Sequence, residues 1–175
     1  IPFTRGCHVV INPFYSVTNS IASLWFVQEA LNDSVTIING DIIVSEKLLK
    51  AVMHADILPT IFFDRTIKVD GDYNVQVNGN RVSIMSKELD RYDGEYAGIT
   101  KLDKHSAMLL RKEICSLIND GSYNEWYENA LVQMILSADF KLYHYDISDY
   151  EWHELDTVND LLYAKELIHK EGKES

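Results

Sequence analysis

Short β-branched and aromatic runs alternate along this chain with segments whose apolar residues have helical spacing. The run Val35–Ile38 lies between two such helical segments. Further along, the turn pair Asn78-Gly79 separates two strand-like runs, 73–77 and 81–85, and predicts a hairpin because both turn residues tolerate positive φ. This order of elements limits the chain to an α/β fold with a mixed sheet and an inserted hairpin.

The same patterns give approximate bounds for each element, and we expect a single domain over residues 1–175. Asp103 is placed to cap a long helix, and Thr157 with Asp160 forms a pair that resembles a capping box. We expect strands at 8–11, 35–38, 61–63, 73–77, 81–85, 96–102, 140–145 and 151–155, and helices at 21–31, 45–54, 104–119, 124–137 and 157–170.

Composition excludes several classes of partner. The formal net charge is −11 and no Lys/Arg cluster is present, so a nucleic acid would be repelled. No apolar run approaches the roughly 18 residues that cross a bilayer, so no membrane partner is expected. Cys7 and Cys115 lie in apolar segments and are expected to be buried thiols, which favours the reducing cytoplasm.

The run Ile37–Asp41 places a carboxylate directly after an apolar strand. Ligands of open α/β sheets bind outside the carboxyl ends of the strands, and Gly40 permits a close approach to the backbone there. The alternative is that Asp41 only accepts hydrogen bonds from turn amides.

A second acidic segment lies near the end of the chain. Strand alternation over 152–156 puts Trp152, Glu154 and Asp156 on one side, just before a helix N-terminus. Two carboxylates there suit a hard cation such as Mg²⁺. The alternative is that Glu154 is solvated and Asp156 interacts with the helix dipole.

Taken in order, these segments resemble the nucleotidyltransferases that act on sugar phosphates and phosphocholine. The family's closing pattern is Trp-x-Glu-Ile-Asp-Thr-x-Glu-Asp-Leu, and here Leu155 replaces Ile and Asn159 replaces Glu. The segments that resemble the phosphocholine cytidylyltransferase-like branch are Asn12–Tyr15, Asn19–Leu24, Gly94–Ile99 and Tyr123–Glu128.

The resemblance implies a Rossmann-like nucleotidyltransferase fold with a mixed, mostly parallel sheet flanked by helices. It implies Mg²⁺-dependent transfer of a nucleotidyl group, CMP by branch, from a nucleoside triphosphate to phosphocholine, a related phospho-alcohol or a sugar 1-phosphate. Asp41 and Asp156 would hold Mg²⁺, and Glu154 would be a third ligand or would support the other two.

Other positions would bind the acceptor. Lys87, or less directly Lys68, would bind its phosphate, unless Lys87 is a plain surface lysine. Glu95, Tyr96 and Gly98 would line its pocket. Aromatic residues would supply a cage for a quaternary ammonium or would belong to the core. This aromatic set is Trp126, Tyr127, Tyr143, Tyr145, Tyr150 and Trp152.

The family's glycine-rich Arg/Lys loop for the triphosphate does not occur in this sequence. By the resemblance, roughly 70 residues with the N-terminal strands would precede Ile1. We therefore expect the isolated chain to be inactive, and either those strands or another copy to cover its sheet. The alternative is a non-catalytic domain of the same shape, used in assembly or regulation. A glycosyltransferase fits less well, because Asp41 lacks the second acid of an Asp-x-Asp motif.

Overall fold

A computed structural model of the chain describes residues 6–67, 73–137, 139–155, 157, 158, 160 and 162. Two compact units are present. Unit 1 comprises residues 1–35 and 102–140, and unit 2 comprises residues 36–101 and 141–175. The single domain expected from the sequence stays a prediction.

The elements follow one another in an alternating order. The helices are α1 (Ser20–Phe26), α2 (Glu46–His54), α3 (Lys104–Asn119) and α4 (Glu128–Leu136), with a 3-10 turn at Gln28–Asn32. The strands are β1 (Val35–Ile38), β2 (Ile42–Val44), β3 (Thr60–Asp64), β4 (Asn74–Asn78), β5 (Arg81–Ser86), β6 (Gly94–Leu102), β7 (Tyr143–Asp146) and β8 (Trp152–Glu154).

Unit 1 is helical, and α3 packs against α1, the 3-10 turn and α4. The predicted cap of α3 is confirmed, since Asp103 Oδ1 accepts a hydrogen bond of 3.0 Å from the Ser106 amide. Gly121 ends the helix with a φ of 90°, and the Ser122 amide bonds back to the Leu117 carbonyl, as in other helices that end at a glycine.

Four expectations for unit 1 were wrong. Residues 8–11 form no strand and join no ladder of the described residues, and a β-branched run without a partner cannot satisfy its backbone as a strand. The expected helix at 21–31 breaks into α1 and the 3-10 turn. Helix α4 begins at Glu128 rather than after Asn124. Cys7 is exposed and Cys115 half-buried.

Unit 2 is built on a six-stranded sheet with the order β1-β6-β3-β7-β5-β4. Strand β4 also pairs with the first residues of β6, so β6, β3, β7, β5 and β4 form a closed ring. The predicted hairpin is confirmed in β4 and β5, with Gly79 at a φ of 61°.

The expectation of a mostly parallel sheet was wrong. Among the described strand pairs of known register, only β3 and β7 run parallel; the β3–β6, β4–β5, β4–β6, β5–β7 and β2–β8 pairs are antiparallel. The sheet is mixed, as expected. Apolar periodicity identifies strands but carries no information about the direction of the neighbour.

Helix α2 covers one face of this sheet. Its buried residues Leu48 and Val52 pack with Phe62 and Ile99, and Ser45 Oγ caps it by accepting from the Leu48 amide. At the other end, Lys101 Nζ on β6 donates to the carbonyls of Val52, Met53 and Ala55 at 2.7 to 3.0 Å. The lysine thus neutralises the negative end of the helix.

Candidate functional site

The two acidic segments singled out in the sequence lie side by side. Strand β2 pairs antiparallel with β8, with Ile42 opposite Glu154 and Val44 opposite Trp152. Just beyond the ladder, the Leu155 amide donates to the Asp41 carbonyl at 2.7 Å. Strand β2 was missing from the expected elements, although it is what joins Asp41 to the end of β8.

The predicted metal ligands are placed as follows. Asp41 is exposed and Glu154 is half-buried on the face of Ile42. Asp156 lies outside the described residues. Among the described residues, no three His, Cys, Asp or Glu side chains come together as a metal-ligand set. The predicted set includes Asp156, which is not one of the described residues. Carboxylate oxygens on adjoining backbone segments fit a hard divalent cation.

A capping pair follows this site, as predicted. The Thr157 amide and hydroxyl both donate to Asp160 Oδ2, at 2.7 and 2.8 Å, and the Asp160 amide donates back to Thr157 Oγ1. The bonds from the Thr157 hydroxyl and amide, helped by His153, lower the pKa of Asp160. The cap orients the residues that immediately follow Asp156.

A buried carboxylate that the sequence analysis missed lies at the end of β3. Asp64 is 6% exposed. Its Oδ1 accepts from the amide and hydroxyl of Thr66, and its Oδ2 accepts from Trp152 Nε1 at 2.9 Å. Burial raises the pKa of Asp64, but these hydrogen bonds outweigh it, and the pKa lies below its ordinary value. The signal was available, because Asp64 follows an apolar run just as Asp41 does.

Trp152 therefore has a structural partner. Its indole packs against the α2 core cluster together with Tyr145 and Tyr150, and its nitrogen orients Asp64. Tyr127, in unit 1, is 2% exposed. These four members of the aromatic set pack as core residues do, which is the alternative to a ligand cage.

The three predicted acceptor-binding residues of β6 have closely constrained positions. Glu95 and Tyr96 are both buried, and the Tyr96 hydroxyl lies 2.7 Å from Thr100 Oγ1. Gly98 has a φ of 69°, its carbonyl accepts from the Asn39 amide, and a Cβ on it would lie 3.0 Å from the Asn39 side chain. Gly98 thus holds β6 against the residue that precedes Gly40-Asp41.

Lys87 follows β5 and is exposed. Its Nζ lies 5.8 Å from the centroid of the Tyr73 ring. The Tyr73 carbonyl in turn accepts from the Tyr96 amide at 2.8 Å. Tyr73 thus contacts Lys87 through its ring and Tyr96 on β6 through its carbonyl. Lys68 lies outside the described residues.

Four solved structures that superpose on this chain are nucleotidyltransferases or are described as such. The CTP:phosphocholine cytidylyltransferase from Streptococcus pneumoniae superposes with a TM-score of 0.66 at 19% identity, over 93% of this chain and 69% of that one. The chain has the nucleotidyltransferase fold. The inositol-1-phosphate CTP transferase from T. maritima gives 0.62 at 18% identity, over 81% of this chain. UDP-glucose pyrophosphorylase, solved in complex with UDP-glucose, gives 0.63 at 9% identity, over 88%.

The chain spans only 57% of the inositol-1-phosphate enzyme and 63% of the pyrophosphorylase. No protein-family model and no curated protein matches the sequence. In the part of the chain that the structure describes, no helix is long and apolar enough to cross a membrane.

Proposed function

We propose that this chain carries the acceptor-binding and metal-binding part of a nucleotidyltransferase. The enzyme would transfer a nucleotidyl group, CMP by the branch resemblance, from a nucleoside triphosphate to phosphocholine, a related phospho-alcohol or a sugar 1-phosphate. The observation that carries the proposal is the bond between the Asp41 carbonyl and the Leu155 amide, within this fold. It joins the two acidic segments, which lie far apart in sequence.

Asp41 and Asp156 are proposed to hold Mg²⁺, with Glu154 as a third ligand or as support for the other two. When bound, the cation would offset negative charge at the triphosphate and at the acceptor phosphate.

The chain's own residues would position the acceptor. The ammonium of Lys87 would bind the acceptor phosphate, and Glu95, Tyr96 and Gly98 would orient the rest of that molecule. An oxygen of the acceptor phosphate then attacks the α-phosphorus in line. A new bond forms between that oxygen and the α-phosphorus, and the bond between the α-phosphorus and the oxygen that bridges it to the β-phosphorus breaks. Pyrophosphate leaves with the bridging oxygen and the electron pair of the broken bond. The cytoplasm, which supplies nucleoside triphosphates, is the proposed location.

The test is a pyrophosphate-release screen on the longest natural form of the protein that contains this chain. It pairs CTP, UTP, GTP, ATP and dTTP with phosphocholine, other phospho-alcohols and sugar 1-phosphates, with and without Mg²⁺. We expect release with one specific pair, and its loss in Asp41→Ala and Asp156→Ala. Asp56→Ala is the matched control, because Asp56 is an exposed acid in the loop after α2.

Each outcome separates the enzyme from the non-catalytic alternative. Release that requires Mg²⁺ and both aspartates supports the enzyme. If no pair releases pyrophosphate, the catalytic proposal fails and a domain used in assembly or regulation replaces it.

A further inference from the structure

Strand β6 is irregular near its centre, where it approaches the segment that carries Asp41. Its pairing with β3 shifts register between Phe62 and Phe63. That single step along β3 is matched on β6 by the longer stretch from Ile99 to Tyr96. The excess residues of β6 form a β-bulge, and Gly98 is one of them. Bulges re-aim the groups of a strand and are frequent beside active sites.

Two features of the bulge favour glycine at position 98. Gly98 has a φ of 69°, in the left-handed region that other residues rarely adopt. In addition, a Cβ on Gly98 would lie 3.0 Å from Asn39 Cβ and 3.2 Å from Asn39 Cγ and Nδ2. Gly79 in the hairpin has the first feature only, since its φ is 61° and nothing lies within 4 Å of an added Cβ. The contact with Asn39 therefore distinguishes Gly98 from the hairpin glycine.

The bulge also holds one side of the segment that carries Asp41. The Gly98 carbonyl accepts a hydrogen bond of 2.9 Å from the Asn39 amide. On the other side, the Asp41 carbonyl accepts one of 2.7 Å from the Leu155 amide. Between these two bonds, a Cβ added to Gly40 would meet nothing within 4 Å, so the space around Gly40 is open. The two backbone bonds therefore set where Asp41 lies.

The placement of Asp41 matters because a cation needs all of its ligands at once. Leu155 lies between Glu154 and Asp156, the other two predicted ligands. The bond from Leu155 thus aligns Asp41 with those two residues, and the bond to Gly98 holds the other end of the same short segment. Groups that orient metal ligands in this way affect metal affinity although they do not touch the ion.

We propose that Gly98 is a positioning residue for the metal site. It seats Asn39 against the bulge of β6 and thereby places the Asp41 carboxylate for the cation. This inference rests on the proposed function. The role is separate from the acceptor-lining role of Gly98, because it acts through Asn39 and requires no acceptor.

The experiment measures metal binding with neither nucleotide nor acceptor present. The longest natural form of the protein that contains this chain is titrated with Mn²⁺, which takes the same oxygen ligands as Mg²⁺. Free Mn²⁺ is measured by its electron paramagnetic resonance signal. Asp41→Asn should lose the binding, which identifies the site. We expect Gly98→Ala to lower the Mn²⁺ affinity about 10–100-fold, the range for groups that orient metal ligands.

Gly79→Ala is the matched control, because it places an alanine at a similar φ without a close contact. Both glycine variants should lose thermal stability, and only Gly98→Ala should lose Mn²⁺ affinity. A purely structural glycine would change stability alone. Wild-type Mn²⁺ affinity in folded Gly98→Ala would therefore overturn the proposal.

A second variant separates backbone strain from the contact with Asn39. Asparagine adopts left-handed φ values more readily than alanine does. Gly98→Asn should therefore unfold at a higher temperature than Gly98→Ala. Its Cβ would meet Asn39 in the same way, so the loss of Mn²⁺ affinity should persist. Wild-type Mn²⁺ affinity in Gly98→Asn would also overturn the proposal.

Asn39→Gly tests the route from Gly98 to Asp41. It removes the side-chain atoms that an added Cβ would meet and keeps the amide that donates to Gly98. In this background, Gly98→Ala should cost much less Mn²⁺ affinity than it costs in the wild type, because the two residues are coupled. An equal cost in both backgrounds would show that the effect does not pass through Asn39, against the proposal.

The two proposals fail separately. If pyrophosphate is released but Gly98→Ala keeps the wild-type Mn²⁺ affinity, the transferase stands and the positioning role falls. If Mn²⁺ affinity depends on Asp41 and Gly98 but no pair releases pyrophosphate, the transferase falls and the positioning role stands. A wild type that binds no Mn²⁺, or binding that Asp41→Asn retains, overturns the positioning role.

Discussion

Asp64 and Trp152 are partners drawn from the two chain segments of unit 2. The indole nitrogen of Trp152 donates to a carboxylate that is 6% exposed. A hydrogen bond to a buried charge is worth more than one between neutral groups, because the charge has lost its water. At the scale of single residues, this bond connects β8, next to the proposed metal site, with the end of β3.

We therefore expect Trp152→Phe to destabilise the protein by about 1.5–3 kcal/mol, since it removes the donor and leaves the carboxylate with fewer bonds. Chemical unfolding followed by circular dichroism measures the change. Trp25→Phe is the matched control, because Trp25 contributes a ring contact with Phe26 in unit 1. Equal losses in the two variants would show that ring packing, and not the bond to Asp64, matters.

Asp64 also predicts how stability depends on pH. Its pKa is lower in the folded protein than in the unfolded chain, because hydrogen bonds outweigh burial. The carboxylate thus contributes stability above its unfolded pKa of about 3.9, and this contribution is lost as the pH falls through the lower, folded value.

The unfolding free energy of the wild type should accordingly decrease more steeply below about pH 4 than that of Asp64→Asn. Urea titrations at a series of pH values measure both slopes. Parallel slopes for the two proteins would contradict the prediction.

At the scale of elements, a lysine on strand β6 caps the C-terminus of helix α2. Lys101 Nζ donates to three carbonyls at the C-terminus of α2, where helix carbonyls have no partner within the helix. We expect Lys101→Met to cost about 1–3 kcal/mol, since it leaves these carbonyls without a charged donor. Lys50→Met, which removes an exposed pair with Glu46, should cost less than about 0.5 kcal/mol. Denaturant unfolding of both variants tests the ranking, and a reversed order would refute it.

The closure of the ring depends on a glycine. Gly94 pairs with Val75, and a Cβ on it would overlap the Asp64 carbonyl and lie 2.9 Å from the Phe63 ring. Because two strands of the sheet approach it, Gly94→Ala should cost more than about 2 kcal/mol through strain. Gly40→Ala is the control, since nothing lies within 4 Å of its added Cβ. Thermal unfolding measures both, and a stable Gly94→Ala protein would contradict this packing.

At the scale of the whole molecule, a bound cation would stabilise the native state by mass action. If Asp41 and Asp156 hold Mg²⁺, a free concentration ten times the Kd adds about 1.4 kcal/mol, or about 3–5 °C in Tm. EDTA should remove this gain. Asp41→Asn should abolish it, and Asp56→Asn should retain it. A shift of equal size in wild type and Asp41→Asn would place the ion elsewhere.

Local sequence determined much of this protein. The cap at Asp103, the pair of Thr157 with Asp160 and the hairpin turn at Gly79 all form where expected. Each depends on side chains within a few residues of the backbone that they satisfy, so the sequence contains the whole interaction. The alternation of strands and helices predicted the α/β class for the same reason.

Only the tertiary structure decided which distant segments meet. The β2–β8 ladder and the antiparallel β3–β6 and β4–β6 pairs join residues that are far apart in the chain. Strand periodicity identifies a face but not a partner, a direction or a register. The sequence could therefore nominate Asp41, Glu154 and Glu95 and carried the same signal at Asp64, whereas the bond from Trp152 to Asp64 exists only because the fold brings their strands together.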